Sequence, residues 1–263
     1  MQKAGFFDGF GDSISFTTNA ECFPDNPQLA WRPASFQEWR QPDCEERHII
    51  TLLLRMRFKH DATGVKTPLS VVRLGGRDEP DFRVTEGGQD YGVEVTQATT
   101  PRLQSATTQL MRSDSEICME VGPELNIQHE GIRENPGAWL RAKGQRFTSR
   151  GWIGMEPETQ WADICLQAIR KKLSKLRDHY SKAHSSCDLL IYSNAHTPII
   201  DLAAAAQFLK ARARACFQIA ETSVSFRSVT IVDESWVIFD VLGETPKIAA
   251  KEDWPWNCCT TIE

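Results

Sequence analysis

Residues 79–97 read Glu79-Pro80-Asp81-Phe82-Arg83-Val84-Thr85-Glu86-Gly87-Gly88-Gln89-Asp90-Tyr91-Gly92-Val93-Glu94-Val95-Thr96-Gln97. This stretch decides the fold, because it predicts a short β-hairpin with carboxylates on one face and apolar side chains on the other. Residues 81–86 and 91–97 alternate as half-buried strands do, and Gly87-Gly88-Gln89-Asp90 between them is turn chemistry. With those four residues as the loop, Glu86 faces Tyr91, Val84 faces Val93 and Phe82 faces Val95. Arg83 then opposes Glu94, and Asp81 opposes Thr96, on the other face. Asp81 and Glu94 become diagonal neighbours about 7–8 Å apart at Cα, close enough for their carboxylates to converge on one divalent ion. A slip of one residue would set Glu94 beside Phe82 and spoil both faces. The alternative is a solvated hairpin face whose carboxylates pair with Arg83.

Outward from the hairpin, the pattern is that of an α/β protein. A strand is expected at about 69–74. Before it, Asp43 opens a helix on which Ile49, Ile50, Leu52, Leu53, Leu54 and Met56 crowd one broad face. The first 42 residues are rich in Pro, Gly and aromatic side chains and read as irregular. Residues 98–159 read as a long insertion, broken by Gly and Pro. A helix follows at about 160–180, a buried strand at 187–192, another helix at about 200–220, and two closing strands at about 224–232 and 236–242. The order is helix, three strands, helix, strand, then a C-terminal helix and hairpin, which predicts a mixed sheet flanked by helices.

Two of these helices carry candidate site residues. On the 160–180 helix the inward positions are Trp161, Ile164, Cys165, Ala168, Ile169, Leu173, Leu176 and Tyr180. At 100° per residue Lys172 falls near the centre of that arc, and Lys171 and Lys175 lie at or beyond its edge. Burying an unpaired ammonium is costly, so Lys172 calls for a carboxylate or an anionic ligand, unless its stem packs and its head escapes to water. On the first helix Glu46 points nearer the apolar arc than Glu45. Asp43-x-x-Glu46 also matches a helix-start signature in which the fourth side chain reaches back to the cap. His48 lies on the opposite face.

Composition bounds the function. A chain of 263 residues can bury one sizeable core, or one core with an insertion. Hydrophobic content of 41% and charged content of 25% are ordinary for a globular protein. A net charge of −5 gives no global attraction to nucleic acid, so such binding must rest on a local basic patch. The eight cysteines are scattered with no Cys-x-x-Cys pair. Cys165 and Cys187 fall in apolar segments, as reduced buried thiols do, which suggests a cytoplasmic protein. Residues 1–19 have neither a basic start nor an apolar run, so no signal peptide is expected. No segment approaches the roughly 20 apolar residues of a membrane helix. A Walker-type phosphate loop, a Gly-x-Ser-x-Gly elbow and metalloprotease histidine spacing are all absent from the sequence.

An acidic residue on a first helix, Pro80-Asp81 on a strand and Glu94-Val95-Thr96 on the next resemble the PD-(D/E)xK nuclease superfamily, the restriction-endonuclease-like fold. The helix bearing Lys172, Lys175 and Tyr180, with the strand Leu189-Leu190-Ile191-Tyr192, is similar to uncharacterised bacterial members. The resemblance covers residues 43–97 and 160–193 and implies one nuclease-like domain, with 98–159 inserted and 194–263 added. It implies Mg²⁺ or Mn²⁺ held by Glu46, Asp81, Glu94 and the backbone carbonyl of Val95. That superfamily places a lysine two residues after the strand glutamate, where this chain has Thr96. Lys172 is where a lysine moved to the following helix is expected. The implied activity is hydrolysis of phosphodiester bonds, in DNA by preference, with Asp81, Glu94, Thr96 and Lys172 at the reaction.

For the substrate, Arg141, Lys143, Arg146 and Arg150 lie close together with Trp139, Phe147 and Trp152 interleaved. Basic residues that track phosphates and aromatic residues that stack on bases are what nucleic-acid contact requires. The same segment also fits a solvated loop with anchoring aromatics. A homodimer or a partner protein suits double-strand cutting. Two other readings stay open. One is a catalytically silent nucleic-acid- or partner-binding module of this fold within a bacterial defence or mobile-element system. The other is an unrelated α/β enzyme using the carboxylates for general acid–base work.

Overall fold

The computed structural model describes residues 13–16, 46, 49–50, 53–54, 66, 69–74, 79–100, 151–180, 186–195, 197–199, 201–219, 225–233, 236–244 and 246–250. The strands are β1 (Ser13–Phe16), β2 (Leu69–Arg73), β3 (Phe82–Glu86), β4 (Gln89–Ala98), β5 (Cys187–Ser193), β6 (Val229–Val232), β7 (Trp236–Phe239) and β8 (Lys247–Ala250). Two long helices are described, α1 (Glu156–Lys175) and α2 (Leu202–Ile219), and α1 continues into a π-helical turn over Leu176–Tyr180. The protein is mixed α/β.

All eight strands form one sheet in sequence order, β1 to β8. The pairs β1–β2, β2–β3, β3–β4, β6–β7 and β7–β8 are antiparallel, and β5–β6 is parallel. Two strands lie where the sequence reading has none: β1 falls in the segment read as irregular, and β8 extends the closing hairpin to three strands. Both are only four residues long, too short for alternation to stand out from chance.

The hairpin forms, but in a different register. Phe82 pairs with Val93, Val84 with Tyr91 and Glu86 with Gln89, two residues away from the expected pairing. The cause is the turn. Gly87 and Gly88 both have positive φ, 56° and 82°, as the two central residues of a type I′ hairpin must. The loop is therefore two residues, and Gln89 and Asp90 belong to β4. Because the shift is an even number, each side chain keeps the face assigned to it.

The described residues fall into two compact units, one drawn from Met1–Thr96, Lys172–Tyr192 and Thr222–Glu263, the other from Gln97–Lys171 and Ser193–Glu221. In the first, Phe82, Val84, Tyr91, Val93 and Val95 join Leu69, Val71, Leu190, Val232 and Val237 in one apolar cluster. Helical residues Ile49, Ile50, Leu53 and Leu54 pack into the same cluster. Burial of such side chains contributes about 1.5–3 kcal/mol each, so the alternation along β3 and β4 sets which face turns inward.

In the second unit, Trp161, Ile164, Cys165, Ala168 and Ile169 of α1 are buried, as are Ala205, Ala206, Leu209 and Ala213 of α2. The start of α1 lies four residues earlier than the sequence suggests. Glu156 Oε2 accepts from the Ile153 N–H at 3.3 Å, a carboxylate reaching back over the helix start. Pro157 sits in the first turn, where its missing N–H costs nothing. Asp201 caps α2, its Oδ1 accepting from the Ala204 N–H at 2.9 Å. Arg212 ties the helices together by donating to Asp163 Oδ1 at 2.7 Å and to the Thr159 carbonyl at 2.9 Å. No described helix is long and apolar enough to cross a membrane.

Candidate functional site

The site is built on β3, β4 and the end of α1, all within the first unit. The register ends at the pair Phe82–Val93, so Asp81, one residue before β3, no longer faces Thr96 and lies near enough to Glu94, one residue further along β4, for their charges to act on each other. Gly92 makes this approach possible. An added Cβ there would lie 2.7 Å from Pro80 Cγ, so only a glycine lets the buried Pro80 ring rest on β4 beside the carboxylates. Asp81 is then fixed from behind, its Oδ2 accepting from the Val95 N–H at 2.7 Å.

Glu94 is completely buried. A lone carboxylate in that position would be prohibitively costly, and two ammonium groups compensate it. Lys172 Nζ donates to Glu94 Oε1, and Lys175 Nζ donates to the same oxygen at 3.0 Å. The lysine placed by helical spacing at the centre of the apolar arc therefore meets the hairpin glutamate. Lys175 does so too, from the edge of that arc, a contact its direction alone does not predict. A four-carbon stem sweeps wide enough to return from a neighbouring direction. The other oxygen, Glu94 Oε2, is buried and has no hydrogen-bond partner among the described residues.

The carboxylates affect each other. Burial and the neighbouring Glu94 charge push Asp81 up to about 6, and Lys172 and the Val95 N–H oppose the rise. Cys187 is part of the same surroundings: burial first, then the charges of Glu94, Asp188 and Asp81, push its thiol up to about 12. At that value it is a buried, protonated group and not a nucleophile. Its closeness to the carboxylates could not be read from a cysteine on an apolar strand.

The remaining expected residues divide clearly. Thr96 lies two residues beyond Glu94 on β4 and is half-buried, so it shares Glu94's face. Glu46 is helical, but Arg73 Nη2 holds its carboxylate at 3.2 Å. It adds to the negative charge felt by Asp81 without joining the pair. Among the described residues no three His, Cys, Asp or Glu side chains group as metal ligands. Arg141, Lys143, Arg146 and Arg150 lie outside the described residues, as do Asp43, His48, Trp139, Phe147 and the Trp254-Pro255-Trp256 run.

A cleft of about 750 Å³ opens on the opposite face of the sheet, among Leu53, Lys66, Tyr91, Arg227 and Lys247. Its polar groups are engaged with one another. Glu86 accepts from the Tyr91 hydroxyl at 2.8 Å and from the Lys66 N–H at 3.0 Å. Arg227 stacks 3.7 Å over the Tyr91 ring and donates to Asp188 at 2.8 Å. These contacts brace β3, β4 and β5 and leave the carboxylate pair as the chemically reactive feature. Comparison with protein-family models, curated proteins and solved structures finds no match for this chain.

Proposed function

We propose that this chain is a metal-dependent nuclease with a restriction-endonuclease-like core of the PD-(D/E)xK type, hydrolysing phosphodiester bonds of DNA. The observation that carries the reading is Glu94, buried with one oxygen on Lys172 and Lys175, the other unpartnered, and the Asp81 carboxylate nearby. A buried acceptor without a partner costs about 1–3 kcal/mol or more, which a cation bound there would offset. The order of helical residues, β2, β3, β4, α1 and β5 is also the order of that fold's core.

The donor set fits a hard divalent cation. Mg²⁺ commonly takes only one or two protein carboxylates and keeps several waters, so Asp81 and Glu94 Oε2 suffice without a third acidic ligand. Mn²⁺ accepts the same oxygens. Such an ion would supply an acidified water and neutralise charge on the phosphate. The chain's own residues do the rest. Val95, through its N–H, orients Asp81. Lys172 brings to Glu94 the positive charge that Thr96 cannot supply, and an ammonium preorganised beside a reacting phosphate stabilises the charge that develops there. The Thr96 hydroxyl offers a hydrogen bond on the same face. Glu46, held by Arg73, acts on Asp81 through its charge.

The test is cleavage of plasmid, single-stranded DNA and RNA with Mg²⁺ or Mn²⁺, against EDTA and the variants Asp81→Ala and Glu94→Ala. Cutting that requires metal and is lost in both folded variants supports the reading. Cutting that survives either substitution sinks it. A second reading, the silent module of this fold, is favoured by one observation: the two ammonium groups on Glu94 already match the charge of the two carboxylates. Calorimetric titration with Mg²⁺ separates the two, because the silent module takes up no metal at Asp81 and Glu94.

A further inference from the structure

We infer that Lys175 is a second phosphate-binding group of this site, leaving Glu94 to contact the backbone of a bound nucleic acid while Lys172 stays in place. The inference rests on the nuclease reading and adds a residue to it. Both ammonium groups donate to the single oxygen Glu94 Oε1. Two like charges sharing one acceptor repel each other, and in a partly buried setting that repulsion is poorly screened. One of the two is therefore the easier to draw away.

Exposure identifies which. The Lys172 side chain is 16% exposed and that of Lys175 is 34% exposed. Lys172 also acts on Asp81, so it answers to both carboxylates from the inner position. Lys175 is the last residue of α1, at the rim, and the backbone widens into the π-helical turn directly after it. Turns of that kind recur at functional sites.

Charge balance gives the reason for a second lysine. Asp81 and Glu94 carry two negative charges, and Lys172 and Lys175 match them; a divalent cation held by the two carboxylates would take over that charge and leave an ammonium in excess to serve the phosphate. A phosphodiester brings one further negative charge, and the charge on it grows as it reacts. Thr96 contributes none. An ammonium that can turn from Glu94 to a phosphate oxygen meets that added charge without uncovering Glu94, because Lys172 remains. A lysine on a four-carbon stem suits such a movement better than a rigid guanidinium.

The experiment reads binding rather than cleavage. Fluorescence anisotropy of labelled single- and double-stranded DNA is followed in EDTA over about 50 to 200 mM salt, with the full chain and with Lys175→Gln and Lys175→Arg. Thermal melting of each variant verifies folding. The expected result is that Lys175→Gln binds about 5–10-fold more weakly at low salt, with the log–log salt slope smaller by about 1, as removal of one phosphate contact requires. Lys175→Arg is expected to restore the slope. An unchanged slope in Lys175→Gln, with DNA bound and cut by the unaltered chain, overturns the role of Lys175 and leaves the nuclease reading standing. No DNA binding by the unaltered chain, together with no cleavage, overturns both.

Discussion

Asp81 accepts the Val95 N–H at 2.7 Å just beyond the last rung of the β3–β4 ladder, Phe82 with Val93, which sets its carboxylate near Glu94. Burial first, and then the charge of the neighbouring Glu94, make Asp81 hold its proton up to about pH 6. The arrangement persists because neighbouring groups fix it. Pro80 rests on Gly92, the Val95 N–H holds Asp81, and the two lysines hold Glu94.

The turn that sets this register is open to direct test. Gly87 has φ of 56°, and a Cβ built on it would lie 2.8 Å from Lys66 Cβ. Gly87→Ala therefore carries both backbone strain and a clash, and it should lower unfolding free energy by about 1–3 kcal/mol. Urea denaturation measures this. Gly88 has nothing within 4 Å of such a Cβ, so Gly88→Ala should cost only the conformational part, about 1–2 kcal/mol.

The sequence reading found the faces and missed the register, for one physical reason. Side-chain direction in a strand repeats every two residues, so Asp81 and Glu94 share a face whichever even shift is correct. The register depends on which residues turn, and polar Gln89 and Asp90 resemble loop while pairing with Glu86 and Thr85. The Gly87-Gly88 pair was the available signal, since Gly-Gly between alternating strands favours a two-residue turn with positive φ at both positions. Lys172 was legible because helical spacing fixes a direction. Lys175, about 60° away by that spacing, reaches Glu94 through the length of its side chain, which periodicity does not encode. The ion pair of Glu46 with Arg73 was equally hidden, because it joins residues 27 apart in sequence.

Removing Lys172 should destabilise the fold as well as the site. Glu94 is completely buried, and taking away one member of a buried pair typically costs about 3–5 kcal/mol. Lys175 remains on the same oxygen, so Lys172→Ala should fall at the lower end of that range. Glu94→Gln in the Lys172→Ala background should recover part of the loss. A double-mutant cycle by denaturant unfolding reads the coupling, and additive losses would show that Lys172 and Glu94 do not interact.

Asp81 also predicts the direction of a pH effect. Its folded value of about 6 lies above the ordinary 3.8, so the native state binds this proton more tightly than the unfolded chain does. The stability this contributes is fully present below about pH 3.8 and is lost as pH rises through about 6. Asp81→Asn should remove that dependence and be the more stable protein at pH 7, by on the order of 1–3 kcal/mol. Melting temperatures across pH 4 to about 7 test it. A wild-type minus Asp81→Asn difference that stays flat through that window would contradict the burial and charge assigned to Asp81.

The same carboxylate pair should give metal a measurable effect on stability. A cation that binds the folded chain and not the unfolded one stabilises by RT ln(1 + [L]/Kd), about 2.7 kcal/mol at a hundredfold excess over Kd. Mn²⁺ or Mg²⁺ should therefore raise the melting temperature, and more so at pH 8 than at pH 5. Below about 6 the ion must displace the proton that Asp81 holds. Asp81→Asn should lose most of the effect, since an amide is a weaker ligand for a hard cation than a carboxylate. Glu94→Gln should lose it as well, and its amide would meet two ammonium groups that need an anion. Equal metal-induced shifts in the unaltered chain and in both variants would place the cation elsewhere and remove the main support for hydrolysis at Asp81 and Glu94.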